Sequence, residues 1–127
     1  MNPKQGDVFK VLAADGTVAA PGHPFVILAI TNGMAVCSNI TDAEKDDDVA
    51  CLLIPLDDPK LLTKRSTFRH QSIEEFPIAA LAAAFASRKL LYWGQLSSAA
   101  FRKIVSGAAS SKRIKPRYRQ LLQTVKI

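Results

Sequence analysis

The chain has 127 residues, a formal net charge of +6 and two cysteines, and its composition is ordinary for a folded domain. This length is enough for one domain that buries a core without disulfide or metal crosslinks. No apolar run is as long as a membrane span, and the first residues lack the apolar segment of a secretion signal. The sequence therefore predicts a single cytoplasmic domain over residues 1–127 that does not associate with membranes.

The charges are distributed unevenly along the chain. Residues 41–60 carry seven acidic residues and two lysines, whereas residues 87–127 carry ten basic residues and no acid. A basic block of this kind favours a polyanionic partner, which is nucleic acid, a membrane surface or an acidic protein. The alternative is a solvated basic helix that serves only solubility.

The first predicted elements are a strand over residues 8–12 and a β-hairpin. Two apolar runs, residues 25–30 and 34–40, flank Asn32-Gly33. Asn and Gly tolerate the positive φ angles of a type I′ turn, so these runs are expected to pair as adjacent strands. Both runs are apolar almost throughout, which is typical of central strands covered on both sides.

The register of this hairpin predicts which residues meet at its open end. With Asn32-Gly33 as the loop, Pro24 lies opposite Thr41. His23 and Thr41 are then neighbours at the open end, but an ideal pleat points them to opposite faces. They share one site only if the chain shifts out of register between the turn and this end.

The second half of the chain predicts further strands and then helices. We expect strands over residues 49–56, 63–71 and 90–96, and helices over residues 77–87, over residues 98–106 ended by Gly107, and from Pro116 onward. The order predicts a small β-barrel or curled sheet of the α+β class. Its barrel core would cover about residues 6–96, and a basic helical segment would cover residues 97–127.

Neither a cofactor nor a metal ion is predicted. The sequence lacks a Gly-rich phosphate loop and the CxxC and HExxH motifs, and the acidic run at 46–48 lacks the ligand spacing of a calcium loop. Cys37 and Cys51 both lie in apolar strands, where buried free thiols are expected.

Five segments together resemble the MazF/PemK family of toxin endoribonucleases. They are GDVFKV at 6–11, HPFVILA at 23–29, VCSNIT at 36–41, LLTKRSTFRHQSIEEF at 61–76 and WGQLSSAAFRKI at 93–104. The resemblance covers roughly residues 6–106. It implies an SH3-like barrel of the CcdB/MazF type with C-terminal helices, a homodimer, and an acidic antitoxin protein as partner.

The resemblance also implies metal-independent cleavage of single-stranded RNA by attack of the substrate's own 2′-hydroxyl. Thr41 matches the family's Thr or Ser after the third strand, and Arg69 matches the Arg of an Arg-x-Asp motif. His23 stands where most members have Arg, and Gln71 stands where the motif has its carboxylate. The implied catalytic residues are therefore His23, Thr41 and Arg69: His23 supplies a proton or a charge, Arg69 stabilises the phosphorane, and Thr41 positions it.

The polar segment around Arg69 supplies the expected substrate-binding residues. These are Lys64, Ser66, His70 and Gln71. Each residue also has a structural explanation: His23 as a turn residue, Thr41 as a strand terminator, and the polar segment as an exposed sheet face. Tyr92 and Trp93 form either a stacking surface for bases or part of the core.

Two hypotheses about function remain open at the level of sequence. The first is a toxin-like endoribonuclease, as the resemblance implies. The second is a non-catalytic module that binds nucleic acid or an acidic protein, and the absence of Arg at position 23 and of a carboxylate at position 71 favours it. A purely structural protein is a third possibility.

Overall fold

The computed structural model describes residues 2–20, 22–42, 52–68 and 73–126, and only the backbone of Asp42 and Phe68. Within these residues, seven strands and three α-helices follow one another: β1 Asp7–Val11, β2 Phe25–Thr31, β3 Met34–Asp42, β4 Leu52–Leu53, β5 Ser66–Phe68, β6 Glu74–Pro77, α1 Ile78–Ala86, β7 Leu90–Gln95, α2 Ser98–Ser110 and α3 Pro116–Gln123. The predicted α+β class is confirmed. None of the described helices is long and apolar enough to cross a membrane.

The strands form one antiparallel sheet in the order β4-β5-β3-β2-β1-β7, and β6 pairs with the first half of β3. The described pairings form an open path and do not close into the predicted barrel. Among the described residues, the sheet stays open because its two end strands, β4 and β7, do not pair with each other. β4 has only two residues, and both pair with β5. At the other end, β7 pairs with β1 alone among the described strands.

The central hairpin forms as predicted around its turn. Asn32 and Gly33 have φ angles of 51° and 74°, the left-handed conformation that a type I′ turn requires at both positions. Thr31 pairs with Met34 across the turn. This hairpin is the centre of the sheet, since β1 flanks it on one side and β5 and β6 flank it on the other.

Three strand predictions differ from the structure. The strand predicted over residues 49–56 is described only from Leu52, ends at Leu53, and is followed by a 3-10 turn at Pro55–Asp57. The strand predicted over 63–71 covers Ser66–Phe68 in its described part, so Lys64 lies in the loop before it. The sequence analysis did not predict β6. This strand begins with two acidic residues, and it is a strand only because it pairs with β3.

The helices begin close to their predicted positions. Ser97 caps α2, since its hydroxyl accepts a hydrogen bond from the Ala100 amide at 3.1 Å, and α3 begins at Pro116. The predicted end of α2 at Gly107 is wrong. Gly107 is buried within the helix, which continues to Ser110 and packs on α3. That packing outweighs the low helix propensity of glycine, which costs about 1 kcal/mol.

The sheet buries a core on each of its two faces. Leu28 and Val36 pack with Ile104 of α2 and Leu122 of α3 on one face. Phe9, Ile27 and Cys37 pack with Leu81 of α1 on the other. Cys37 is the predicted buried free thiol. Burial raises the pKa of this thiol to about 12. Cys51 lies outside the described residues.

Residues 57–64 are attached to the start of α2. A carboxylate oxygen of Asp58 accepts a hydrogen bond from the Ser97 amide at 2.7 Å, and the other accepts one from the Leu61 amide at 3.2 Å. Lys103 of α2 lies 2.9 Å from Asp57. Arg117 of α3 similarly pairs with Glu75. These two ion pairs neutralise part of the basic block within the protein.

Candidate functional site

A groove of about 330 Å³ crosses the open end of the β2–β3 hairpin. His23 and Thr41 line it from the two strand ends, and Lys64 and Ser66 line it from the segment that enters β5. The remaining walls come from Lys10, Gly22, Pro24, Ile40, Lys60, Leu61, Leu62, Thr63 and Trp93. Four of the seven predicted site residues therefore lie along one groove.

A β-bulge in β2 aligns His23 with Thr41. The pairing of β2 with β3 shifts by one position at Leu28. Beyond the shift, the Ile40 amide donates a hydrogen bond to the Pro24 carbonyl at 2.8 Å, so Pro24 lies opposite Ile40 and not opposite Thr41 as predicted. The next positions outward are His23 and Thr41, which are now directly opposite each other. This is the shift out of register that a shared site requires.

A second bulge, in β7, turns Trp93 into the groove wall. Phe9 pairs with Tyr92 and Val8 pairs with Gly94, so Trp93 is the extra residue. Bulges re-aim side chains, and they are frequent beside active sites. Gly94 has a φ of 145°, and a Cβ there would lie 3.2 Å from a methyl group of Leu61. The absence of a side chain at Gly94 therefore lets residues 60–64, which form one wall of the groove, approach β7.

The described residues that line the groove carry positive charge. They include Lys10, Lys60 and Lys64 and no acidic residue. Lys10 Nζ lies 3.9 Å from the centroid of the Trp93 ring, a cation–π contact that orders both side chains. Trp93 is 41% exposed, so it belongs to a surface and not to the core. Tyr92 is equally exposed but does not line the groove.

The lysines of the groove do not come from the basic C-terminal block. Trp93 is the only groove-lining residue, within the described chain, that belongs to residues 87–127. The prediction from sequence missed Lys10 and Lys60, because they lie 50 positions apart and no motif joins them. Only the pairing of β1 with β7 and the approach of the 60–64 loop bring them together.

Ser66 stabilises one wall of the groove through a hydrogen bond. It is 6% exposed, and its hydroxyl donates a hydrogen bond to the Lys64 carbonyl at 2.9 Å. The bond holds the turn that carries Lys64 against β5. In this position Ser66 holds the backbone of Lys64, and its own hydroxyl is largely covered.

His23 is half-buried, and no hydrogen bond joins its ring to another residue that the structure describes. The alternative role of a turn residue that bonds the loop is therefore not supported among these residues. Within the part of the chain that the structure describes, the imidazole faces the groove without a hydrogen-bond partner. It also borders a second, smaller cavity on the α1 side of the sheet.

Two buried polar side-chain atoms beside Thr41 have no hydrogen-bond partner in the described chain. They are Asn39 Oδ1 and Thr67 Oγ1. Thr67 pairs directly with Thr41, and Asn39 precedes Thr41 by two positions in β3, so all three lie on one face of the sheet. The prediction from sequence missed Asn39, although a lone amide in the apolar run at 34–40 was a visible signal.

Arg69, His70 and Gln71 lie outside the described residues, and their predicted roles remain predictions. They follow β5 directly, and β5 pairs with β3 at Thr41. In the described chain, no three His, Cys, Asp or Glu side chains are close enough together to hold a metal ion.

No protein-family model matches the chain, and no curated protein matches it. The resemblance to the MazF/PemK family therefore rests on its five sequence segments and remains a hypothesis.

Proposed function

We propose that the groove binds single-stranded RNA and that the protein cleaves it as a toxin-like endoribonuclease related to the MazF/PemK family. The observation that carries the proposal is the bulge at Leu28, which sets His23 opposite Thr41 in a groove lined by three lysines. The proposal includes an SH3-like fold of the CcdB/MazF type, a cytoplasmic location and a partner antitoxin.

The lining of the groove supports binding of a single strand. Lys10, Lys60 and Lys64 provide cations for successive phosphates. The exposed indole of Trp93 offers a stacking surface, and base–aromatic stacking contributes about 1–3 kcal/mol per base. A groove with cations and an aromatic ring suits a flexible strand, because both the backbone and the base faces are contacted.

The chemistry that we propose needs no metal. The 2′-oxygen attacks the adjacent phosphorus and loses its proton, while the bond from phosphorus to the 5′-oxygen breaks and that oxygen gains a proton. The products are a 2′,3′-cyclic phosphate and a 5′-hydroxyl. His23 transfers one of these protons, Thr41 positions the phosphate through its hydroxyl, and the lysines and Arg69 stabilise the phosphorane.

A cleavage assay tests this proposal directly. A pool of single-stranded RNA is incubated with the protein in EDTA, and we expect fragments with 2′,3′-cyclic phosphate ends. Expression of the protein alone should arrest growth, and co-expression with the product of the neighbouring gene should relieve the arrest. Intact RNA together with tight binding would select the non-catalytic module, and neither cleavage nor binding would contradict both hypotheses.

Neutralising selected lysines tests whether RNA binds in the groove or on the basic block of residues 87–127. We expect the triple variant Lys10→Gln, Lys60→Gln, Lys64→Gln to bind RNA more weakly and to lower the slope of log affinity on log salt by about 0.7 for each lost phosphate contact. The control removes the same charge from the exposed Lys112, Lys115 and Lys126, which lie outside the groove. Equal losses in the two variants would show that RNA is not held in the groove.

The expected homodimer is also part of the proposal. Helix α1 contains no polar residue: Ile78, Leu81 and Phe85 pack on the sheet, and its exposed positions 79, 80, 83 and 86 are all alanines. An apolar helix surface of this kind favours burial against a second chain. Light scattering should give the mass of a dimer, and a clean monomer would remove this claim.

A further inference from the structure

A separate cavity of about 220 Å³ adjoins the RNA groove. The two share Gly22 and His23, so the cavity opens beside the proposed point of cleavage. Its walls are mainly apolar and include Val11 and Phe25. Apart from His23, its one polar side chain among the described residues is that of Asn39.

Asn39 lines this cavity, and its side-chain amide is not fully hydrogen-bonded within the described chain. The residue is 8% exposed, and its Oδ1 has no hydrogen-bond partner in the described chain. A buried polar atom without a partner destabilises a fold, and each such atom needs an explanation. Rotation of the amide by 180° exchanges Oδ1 with Nδ2, so either a donor or an acceptor can face the cavity. Since Oδ1 itself is covered, a ligand in the cavity would bond the other end of the amide group.

The rest of the cavity fits a flat aromatic ligand. Phe25 is held in place by Phe9, since their rings stack nearly parallel with centroids 5.6 Å apart. A cavity of about 150 Å³ accommodates a benzene ring, so this one has room for a nucleobase. A phosphate is a poor fit here, because the described lysines line the groove and not the cavity.

We propose that this cavity binds one nucleobase next to the cleaved phosphate and that the Asn39 amide recognises its edge. The inference rests on the proposed binding of RNA. The end of the amide that faces the cavity offers one hydrogen bond, and this bond favours the base whose edge presents the complementary group there. Asn39 is thus a specificity-determining residue, and it selects which base lies beside His23.

Binding of four homopolymeric oligonucleotides tests the inference. We use 2′-deoxy-substituted A, C, G and U strands that cannot be cut, and we measure affinity by fluorescence anisotropy. The wild-type protein should bind one of the four about two- to tenfold more tightly, as expected for one hydrogen bond to the base. Asn39→Leu should bind all four alike, with an unchanged salt dependence and an equal or higher melting temperature.

Two further variants keep the test decisive. Asn39→Ala removes both the donor and the acceptor without adding a charge, and it should also lose the preference. Ser38→Ala alters the neighbouring buried residue on the opposite face of β3, and it should keep the preference. A wild type that binds none of the strands would contradict RNA binding itself. Binding without preference, or a preference that Asn39→Leu retains, would overturn this inference alone.

Discussion

Replacing His23 by Ala should slow RNA cleavage by about 10²–10⁴-fold, the usual effect of losing one general acid or base. The fold should be unaffected, because the ring is half-buried and bonds to no other described residue. RNA binding should remain close to that of the wild type, since the groove keeps its three lysines and Trp93. Single-turnover cleavage rates, measured beside affinity and melting temperature, check the three expectations together.

Two other replacements of His23 define its role. His23→Asn keeps a planar polar group that cannot transfer a proton, so it should lose as much activity as His23→Ala. His23→Arg restores the residue that most MazF/PemK members carry. An active Arg variant with a flatter pH profile would show that His23 acts as a cation. Full activity in both the Ala and the Asn variants would remove His23 from the site.

Leu28→Ala should lower the free energy of unfolding by about 2–5 kcal/mol, the range for truncating a fully buried leucine. Leu28 is 0% exposed, lies at the bulge of β2, and packs in the core beneath α2 and α3. Ile30→Ala is the matched control in the same strand. Ile30 is 38% exposed, so its truncation should cost about 1–2 kcal/mol, less than that of Leu28. Denaturant unfolding of both variants measures the difference.

The Leu28 variant also connects stability with the site. The bulge determines that His23, and not Pro24, lies opposite Thr41. A cavity under the bulge should therefore loosen the open end of the hairpin and reduce cleavage even at temperatures where the variant is folded. Equal destabilisation by Leu28→Ala and Ile30→Ala would show that the bulge is not anchored by the core.

The sequence predicted the candidate site in part. His23, Thr41, Lys64 and Ser66 were all proposed from family positions and strand patterns, and the structure brings them to one groove. Lys10, Lys60 and Asn39 were missed. The reason is that a groove is made by elements distant in the chain, and its lining depends on how closely these elements approach. Only Asn39 carried a local signal.

Features that depend on a few adjacent residues could be predicted from the sequence. The turn at Asn32-Gly33, the cap at Ser97 and the start of α3 at Pro116 all follow from local backbone preferences. The tertiary structure alone decided the open path of the sheet, the bulges at Leu28 and Trp93, and the extension of α2 beyond its glycine. These features arise from packing between distant segments, and packing energy of several kcal/mol outweighs local preferences of about 1 kcal/mol or less.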